Sequence, residues 1–438
     1  MRGIRSRTFL RNVVDAITGC SALALGIGSA SAQDRDTYGS SVTSRENSRL
    51  REEGLRAGSF LVMPQISADL VYNDNIQASN ANAASDGIAT IRPELTVESD
   101  WNNHLVKLDG FYQRAAYFEN STEDVSEFGT AFNGRLDIAR QTRLSAILDY
   151  NRTAERRGDL GSFRATVERV QFSTLGGTLR LDQTLGDLVL RAEGRARQWR
   201  YDDALLQNGS VLDQKFRDFK VVSGSVQAGF NVSPITQFFA RATIEARRYD
   251  LRRGDIGFDP LTQIDRSADS VRLELGVQRE ITQLLLANVR IGYLNFRYPD
   301  PTVRDFKVLA YAATVRWNVT PLTSIYLDGE RSVDETVSPT TAGNLRDEVR
   351  LRVDHELLRN LVLTARARLG WIKPSLAAAA AGTAVSRNRE REFLFEPRFY
   401  MTSRLRLHFN LRHQARTSSN AGQSFKANSV TLGFNYAI

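Results

Sequence analysis

The sequence has little of what most enzyme sites are built from. Its 438 residues hold one cysteine, Cys20, and four histidines, His104, His355, His408 and His413. A single cysteine rules out an intrachain disulfide and a multi-thiolate metal site. No two histidines stand at a spacing that makes a metal pair, and no nucleophile-elbow, P-loop or His-Glu-x-x-His pattern occurs. Beyond the N-terminus no apolar run approaches the ~20 residues of a membrane helix. The blandest stretch, SLAAAAAGTAV at 375–385, is short and flanked by polar segments. A helical membrane protein is therefore excluded. A membrane β-barrel is not, because its strands alternate and average out as hydrophilic.

The N-terminus reads as an export signal. Arg2, Arg5, Arg7 and Arg11 precede the apolar segment 16–28, and Ala30-Ser31-Ala32 is an A-x-A cleavage site. A lipoprotein reading with Cys20 acylated would leave a very short apolar region after Asp15. Cleavage after Ala32 removes four arginines and one aspartate, so the formal charge falls from +8 to +5. This mild excess on an exported chain gives no case for a nucleic-acid partner. Residues 33–58 are polar and read as a flexible periplasmic arm, and 59–438 as one domain.

From residue 59 onward the texture is constant. Segments of ten to fifteen residues alternate apolar with polar, and short and long connections take turns between them. The short ones include 140–143, 233–236, 320–323 and 358–360. The long ones, rich in Asn, Gly, Asp and Ser, include 77–87, 205–217 and 252–268. Eight short and nine long connections predict about eighteen strands. That is an all-β, antiparallel, up-and-down transmembrane barrel with short periplasmic turns and long extracellular loops. In 404–416, Leu405, Leu407, Phe409 and Leu411 share a face opposite Arg404, Arg406, His408, Asn410 and Arg412. A strand with a charged face needs water there and lipid or a core on the other side. Soluble sandwich strands are about half this length.

Closure explains the C-terminal strand. Val430, Leu432, Phe434, Tyr436 and Ile438 form one apolar face running to the last residue. In a closed barrel such a strand pairs with the first one, and no edge is left. The same residues read as the signal taken up by the barrel assembly machinery, although Ile438 stands where an aromatic is usual.

Two stretches carry a resemblance. GSFLVMPQISADLVYNDNI at 58–76 and IRPELTVESDWNNHLVKLDGFYQ at 91–113 resemble the outer-membrane β-barrel porins tied to capsule and exopolysaccharide export in Gram-negative bacteria. The match rests on Tyr72, Asn73, Asp74, Asn75 and Ile76 and on the P-E-L-x-V-x-S-D-W of the second strand. The resemblance implies an outer-membrane, non-catalytic barrel that passes or assembles exopolysaccharide with periplasmic export components. A small-solute porin, or a structural barrel whose loops bind a partner, are the alternatives. Asn73, Asp74 and Asn75 offer hard oxygen ligands for a divalent cation or a lipopolysaccharide head. Turn chemistry accounts for them more simply. No cofactor, metal or catalytic residue is expected. The partners expected are outer-membrane lipid, the assembly machinery and an anionic polysaccharide, for a monomeric barrel.

The remaining signal is arginine on the inward face. Arg350, Arg352, Arg366, Arg368, Arg404, Arg406 and Arg412 predict a lumen wall that could contact a polyanion, since guanidinium suits carboxylate and phosphate. Arg352 and Arg366 should lie at one height, and Arg350 and Arg368 at another. Like charges so placed need anions between them. Glu348, Asp354, Glu392 and Glu396 are the candidates within the chain, which would make the wall an internal salt-bridge network. RRGD, at 156–159 and 252–255, reads as tight-turn chemistry.

Overall fold

A computed structural model describes residues 41–42, 54–160, 162, 166–260, 263–334, 341–376, 387–420 and 422–438. The export signal at 1–32 and most of the arm lie outside these residues. Eighteen long strands form the barrel: β1 Phe60–Asn73, β2 Asp86–Ser99, β3 Leu105–Tyr117, β4 Val125–Ala139, β5 Thr142–Ala154, β6 Gln171–Leu185, β7 Leu188–Tyr201, β8 Phe219–Ser233, β9 Thr236–Tyr249, β10 Ala268–Thr282, β11 Leu285–Arg297, β12 Phe306–Thr320, β13 Thr323–Asp334, β14 Thr341–Leu358, β15 Leu361–Leu376, β16 Asn388–Tyr400, β17 Leu405–Ser418 and β18 Phe425–Ala437. Each pairs antiparallel with its neighbours in sequence, and β18 pairs with β1 from Gln65↔Ala437 to Asn73↔Ser429. Connections at one end are two to five residues long and at the other six to eighteen. Short turns face the periplasm and long loops the outside.

The burial pattern is that of a globular protein turned inside out. Outward Leu432, Leu275 and Ile244 are 61%, 68% and 64% exposed, whereas inward Asp354 and Thr364 are fully buried. This follows from the period of two: one residue in two must meet hydrocarbon, and the other meets a crowded polar interior. No helix of the described residues is long and apolar enough to cross a membrane.

The seam between β18 and β1 is held on both faces. Inside, His408 Nε2 on β17 reaches Asp69 Oδ1 on β1 at 2.8 Å. The bond passes over Gly433 of β18, where a Cβ would collide with that same carboxylate oxygen. Outside, the Asn428 Nδ2 amide donates to Asp74 Oδ2 at 2.7 Å. β18 covers only the upper part of β1. The lower edge is covered by a three-residue strand, Leu55–Ala57, which folds back at Gly58 (φ +60°) to pair Leu55↔Val62 and Ala57↔Phe60. The end of the expected arm is thus ordered. Only a residue free of a Cβ penalty at positive φ makes so tight a return, and the return leaves no bare edge in lipid.

Candidate functional site

The family-like motif at 72–76 sits at the extracellular end of the seam. Tyr72 is outward and 55% exposed. Asn73 Oδ1 accepts the Asn75 N–H at 2.9 Å, and Asn75, buried, donates its amide to the Ser79 and Lys426 carbonyls at 2.8 and 2.7 Å. Ile76 packs with Ile88, Ala115, Val125 and Ala154. The three polar residues spend their hydrogen bonds on the turn and on β18. Among the described residues no group of three or more acidic, His or Cys side chains could hold a metal ion.

Both RRGD segments are turns, with Asp159 N–H donating to Arg156 O and Asp255 N–H to Arg252 O, each at 3.0 Å. The first begins a loop that packs against its neighbours over the extracellular mouth. Arg157 Nε donates to Glu123 Oε1 at 2.9 Å and its Nη1 to Thr166 Oγ1 at 2.6 Å. Arg217, fully buried, bonds Glu155 and Gln214 and lies 3.9 Å from the centre of the Tyr201 ring. Beside it Trp199 and Phe219 stack at 4.4 Å, and Phe219 and Tyr249 at 5.1 Å. Sequence reading left these aromatics as ordinary strand residues. Their signal was a lumen-side position one or two residues from a loop on successive strands.

At the periplasmic mouth, Val42 of the N-terminal arm is buried against Val362 and Tyr400. Its N–H donates to Ser324 Oγ at 3.0 Å. The arm therefore reaches the lumen wall.

The arginine wall is assembled as the alternation requires, with one exception. Arg350 faces Arg368 and Arg352 faces Arg366 across the β14–β15 ladder. Carboxylates separate these like charges. Arg350 Nη2 meets Glu330 at 3.0 Å, and Arg352 Nε meets Asp354 at 2.9 Å. Arg366 lies 3.9 Å from Glu396. Arg368 and Arg412 share Glu392, each at 2.9 Å. Arg406 donates to the Asn435 amide oxygen at 3.0 and 2.6 Å. Arg404 is the exception. It lies outside β17, in the turn 401–404, where it is exposed. The strand begins one residue later than the alternation suggested, because Thr402 Oγ1 accepts the Arg404 and Leu405 N–H groups and shapes the turn. Sequence reading placed Arg346 and Arg416 on the inward face, but Asp334 and Glu390, the carboxylates at the centre of the network, were not among its candidates. Arg346 bonds Asp334 and Glu390, and Arg416 also bonds Glu390, at 2.7 Å for Arg346–Glu390 and 2.6 Å for Arg416–Glu390.

His413 faces outward and contacts Asn428 Oδ1 at 2.7 Å through Nδ1. Its cross-strand partner is Phe393, and its neighbours on the same face are Leu411 and Ala415. None is a nucleophile, so this His–Asn pair offers no hydrolytic site.

Residues 48–437 match the model of the family described as "Putative beta-barrel porin 2". The chain belongs to this family of β-barrel porins. No curated protein matches the sequence of the porin. Among solved structures it is similar to OpdO of Pseudomonas aeruginosa, at 12% identity over 86% of this chain and 97% of that one, TM-score 0.44. It is also similar to OccK2 (OpdF) of the same organism in complex with glucuronate, at 12% identity over 86% and 98%, TM-score 0.43. The porin is an outer-membrane β-barrel.

Proposed function

We propose that the porin is a passive, non-catalytic channel for small water-soluble solutes, acting as a single barrel. The observation that carries this reading is the pairing of the arginine wall. A track for an acidic polysaccharide needs cations free to exchange one bound carboxylate for the next. Arg350, Arg352, Arg366, Arg368 and Arg412 are instead each within 4 Å of a carboxylate of the chain itself. Such a wall is polar and close to neutral, which suits hydrated solutes of either sign better than a polyanion. Exopolysaccharide export, which the motif resemblance implies, remains the competing reading, and the two separate cleanly in one experiment. Planar-bilayer recordings of the purified porin should show stepwise conductance with weak ion selectivity. Gene deletion should leave cell-bound and released polysaccharide unchanged. A polysaccharide defect on deletion, with no conductance in bilayers, would overturn the proposal in favour of export.

A further inference from the structure

The paired arginines of the lumen wall have a counterpart on the outside of the barrel. On the outward face of the last strands, close to the loops, stand Arg389 and Arg391 of β16 and Lys426 of β18, all exposed. None makes an ion pair among the described residues. Asp74, the carboxylate at this seam, is taken up by Asn428. At four other places on this rim an outward cation does have its own carboxylate: Arg114 has Asp124, Arg152 has Asp202, Arg248 has Asp269 and Arg331 has Asp347.

The register arranges these groups in tiers. Arg391, Ala415 and Lys426 lie in one row across β16, β17 and β18. The two cations are therefore about 10 Å apart, two strand spacings. Arg389 stands one step nearer the loops, beside Trp371. One step deeper, Phe393 stacks on His413 at 6.5 Å. Below them the surface sinks into a groove of about 490 Å³ lined by Ala365, Ala367, Phe393, Phe395, Leu411 and Val430. The groove exists because β15 places two alanines between the larger side chains of β14 and β16.

Descending from the loops, the tiers run cation, aromatic, apolar groove. We propose that this face of β15–β18 is a binding site for a phosphorylated, multiply acylated glycolipid of the outer leaflet. Arg389, Arg391 and Lys426 hold its phosphates, and the groove takes an acyl chain. Guanidinium groups bind phosphate through paired N–H donors. The site sits at the depth where an outer-leaflet head meets its chains. It stands on the outer-membrane location of the porin and is independent of what crosses the lumen.

The test uses the full chain, purified in detergent, with intrinsic tryptophan fluorescence reporting titrations of diphosphoryl lipid A, dephosphorylated lipid A and phosphatidylglycerol. The wild type should bind the diphosphoryl lipid at least roughly tenfold more tightly than the dephosphorylated one, the equivalent of one or two charge-assisted contacts. Arg389→Gln/Arg391→Gln/Lys426→Gln should abolish that difference. Arg152→Gln, at a rim cation with a carboxylate of its own, should keep it. Ala367→Phe, which fills the groove and leaves the charges, should weaken the acylated lipid but not its deacylated, phosphorylated head. Heat-modifiable gel migration establishes that each variant is folded. A triple variant that still favours the phosphorylated lipid would overturn the site. Equal binding of phosphatidylglycerol would also overturn it, leaving a general anionic belt.

Discussion

Arg366 and Arg368 of β15 point into the lumen; Arg389 and Arg391, on the next strand, point into the membrane rim, and the two pairs keep opposite company. The inward pair lies within reach of Glu396, Glu392 and Glu348. The outward pair has Trp371, Ala415 and Phe393 around it and no carboxylate bonded to it. The residue type is the same and the backbone is continuous. Inward arginines are structural because the polar interior brings carboxylates of their own and neighbouring strands to them, as Glu348 of β14 and Glu392 of β16 reach Arg368. Outward arginines are available because their face is otherwise apolar, and their counter-ions must come from the lipid.

The harshest way to break the comparison is to remove the barrel that separates the two faces. Deleting Phe434 to Ile438 strips the lower part of β18, which pairs with Gln65, Ile66, Ser67 and Ala68 of β1. The exposed ladder cannot be satisfied by lipid. Degradation before membrane insertion and loss of heat-modifiable migration are expected, and normal outer-membrane amounts of the truncated protein would contradict the role given to this strand.

Next in size is Arg346→Ala. It leaves Asp334 and Glu390 buried without their shared cation. Breaking one partner out of such a network costs about 3–5 kcal/mol. Denaturant unfolding of the refolded barrel should show it, and a loss under about 1 kcal/mol would place Arg346 with ordinary surface ion pairs.

A smaller effect sharpens the contrast between faces. Arg352→Gln/Arg366→Gln/Arg368→Gln removes three positive charges from the lumen and leaves its carboxylates in place. The reversal potential in a salt gradient should move toward cation preference. The rim variant Arg389→Gln/Arg391→Gln removes nearly as much charge and should move it very little. Equal shifts from both would mean that the two faces are not electrically separate.

The mildest test lies in the loops. Burial raises the Asp300 carboxyl, but the Thr302 hydroxyl and the N–H groups of Asp265 and Thr302 outweigh it and hold it below its ordinary value. A depressed carboxylate stabilises above its unfolded pKa of about 3.9 and loses that contribution as pH falls through the lower folded value. The loop 250–267, tied to Asp300 through Arg253 at 3.3 Å, should loosen only below about pH 4. Asp300→Asn should show the same loosening at pH 7, read as faster tryptic cleavage after Arg252 or Arg253, and should remove the acid dependence.

Much of the architecture was legible because a period of two is a local property. The faces of 404–416, the short turns at 233–236 and 320–323, and the equal heights of Arg350 and Arg368 follow from counting residues along and across a hairpin. The turn at 401–404 was not legible to the residue, since a single hydroxyl, Thr402, decides where β17 begins. Nor was the strand Leu55–Ala57, which at three residues is too short for an alternation to mark it. It forms because the lower edge of β1 is left open by β18.

By itself, then, the sequence determined the barrel: which residues meet lipid, which meet the interior, and how many strands alternate, all consequences of side-chain direction along an extended chain. Only the tertiary structure decided what each charge does there. Whether an arginine is spent or free depends on carboxylates that arrive from other strands. Glu330 on β13, Glu392 on β16 and Arg412 on β17 meet at one wall only once the sheet has curled round and fixed its register.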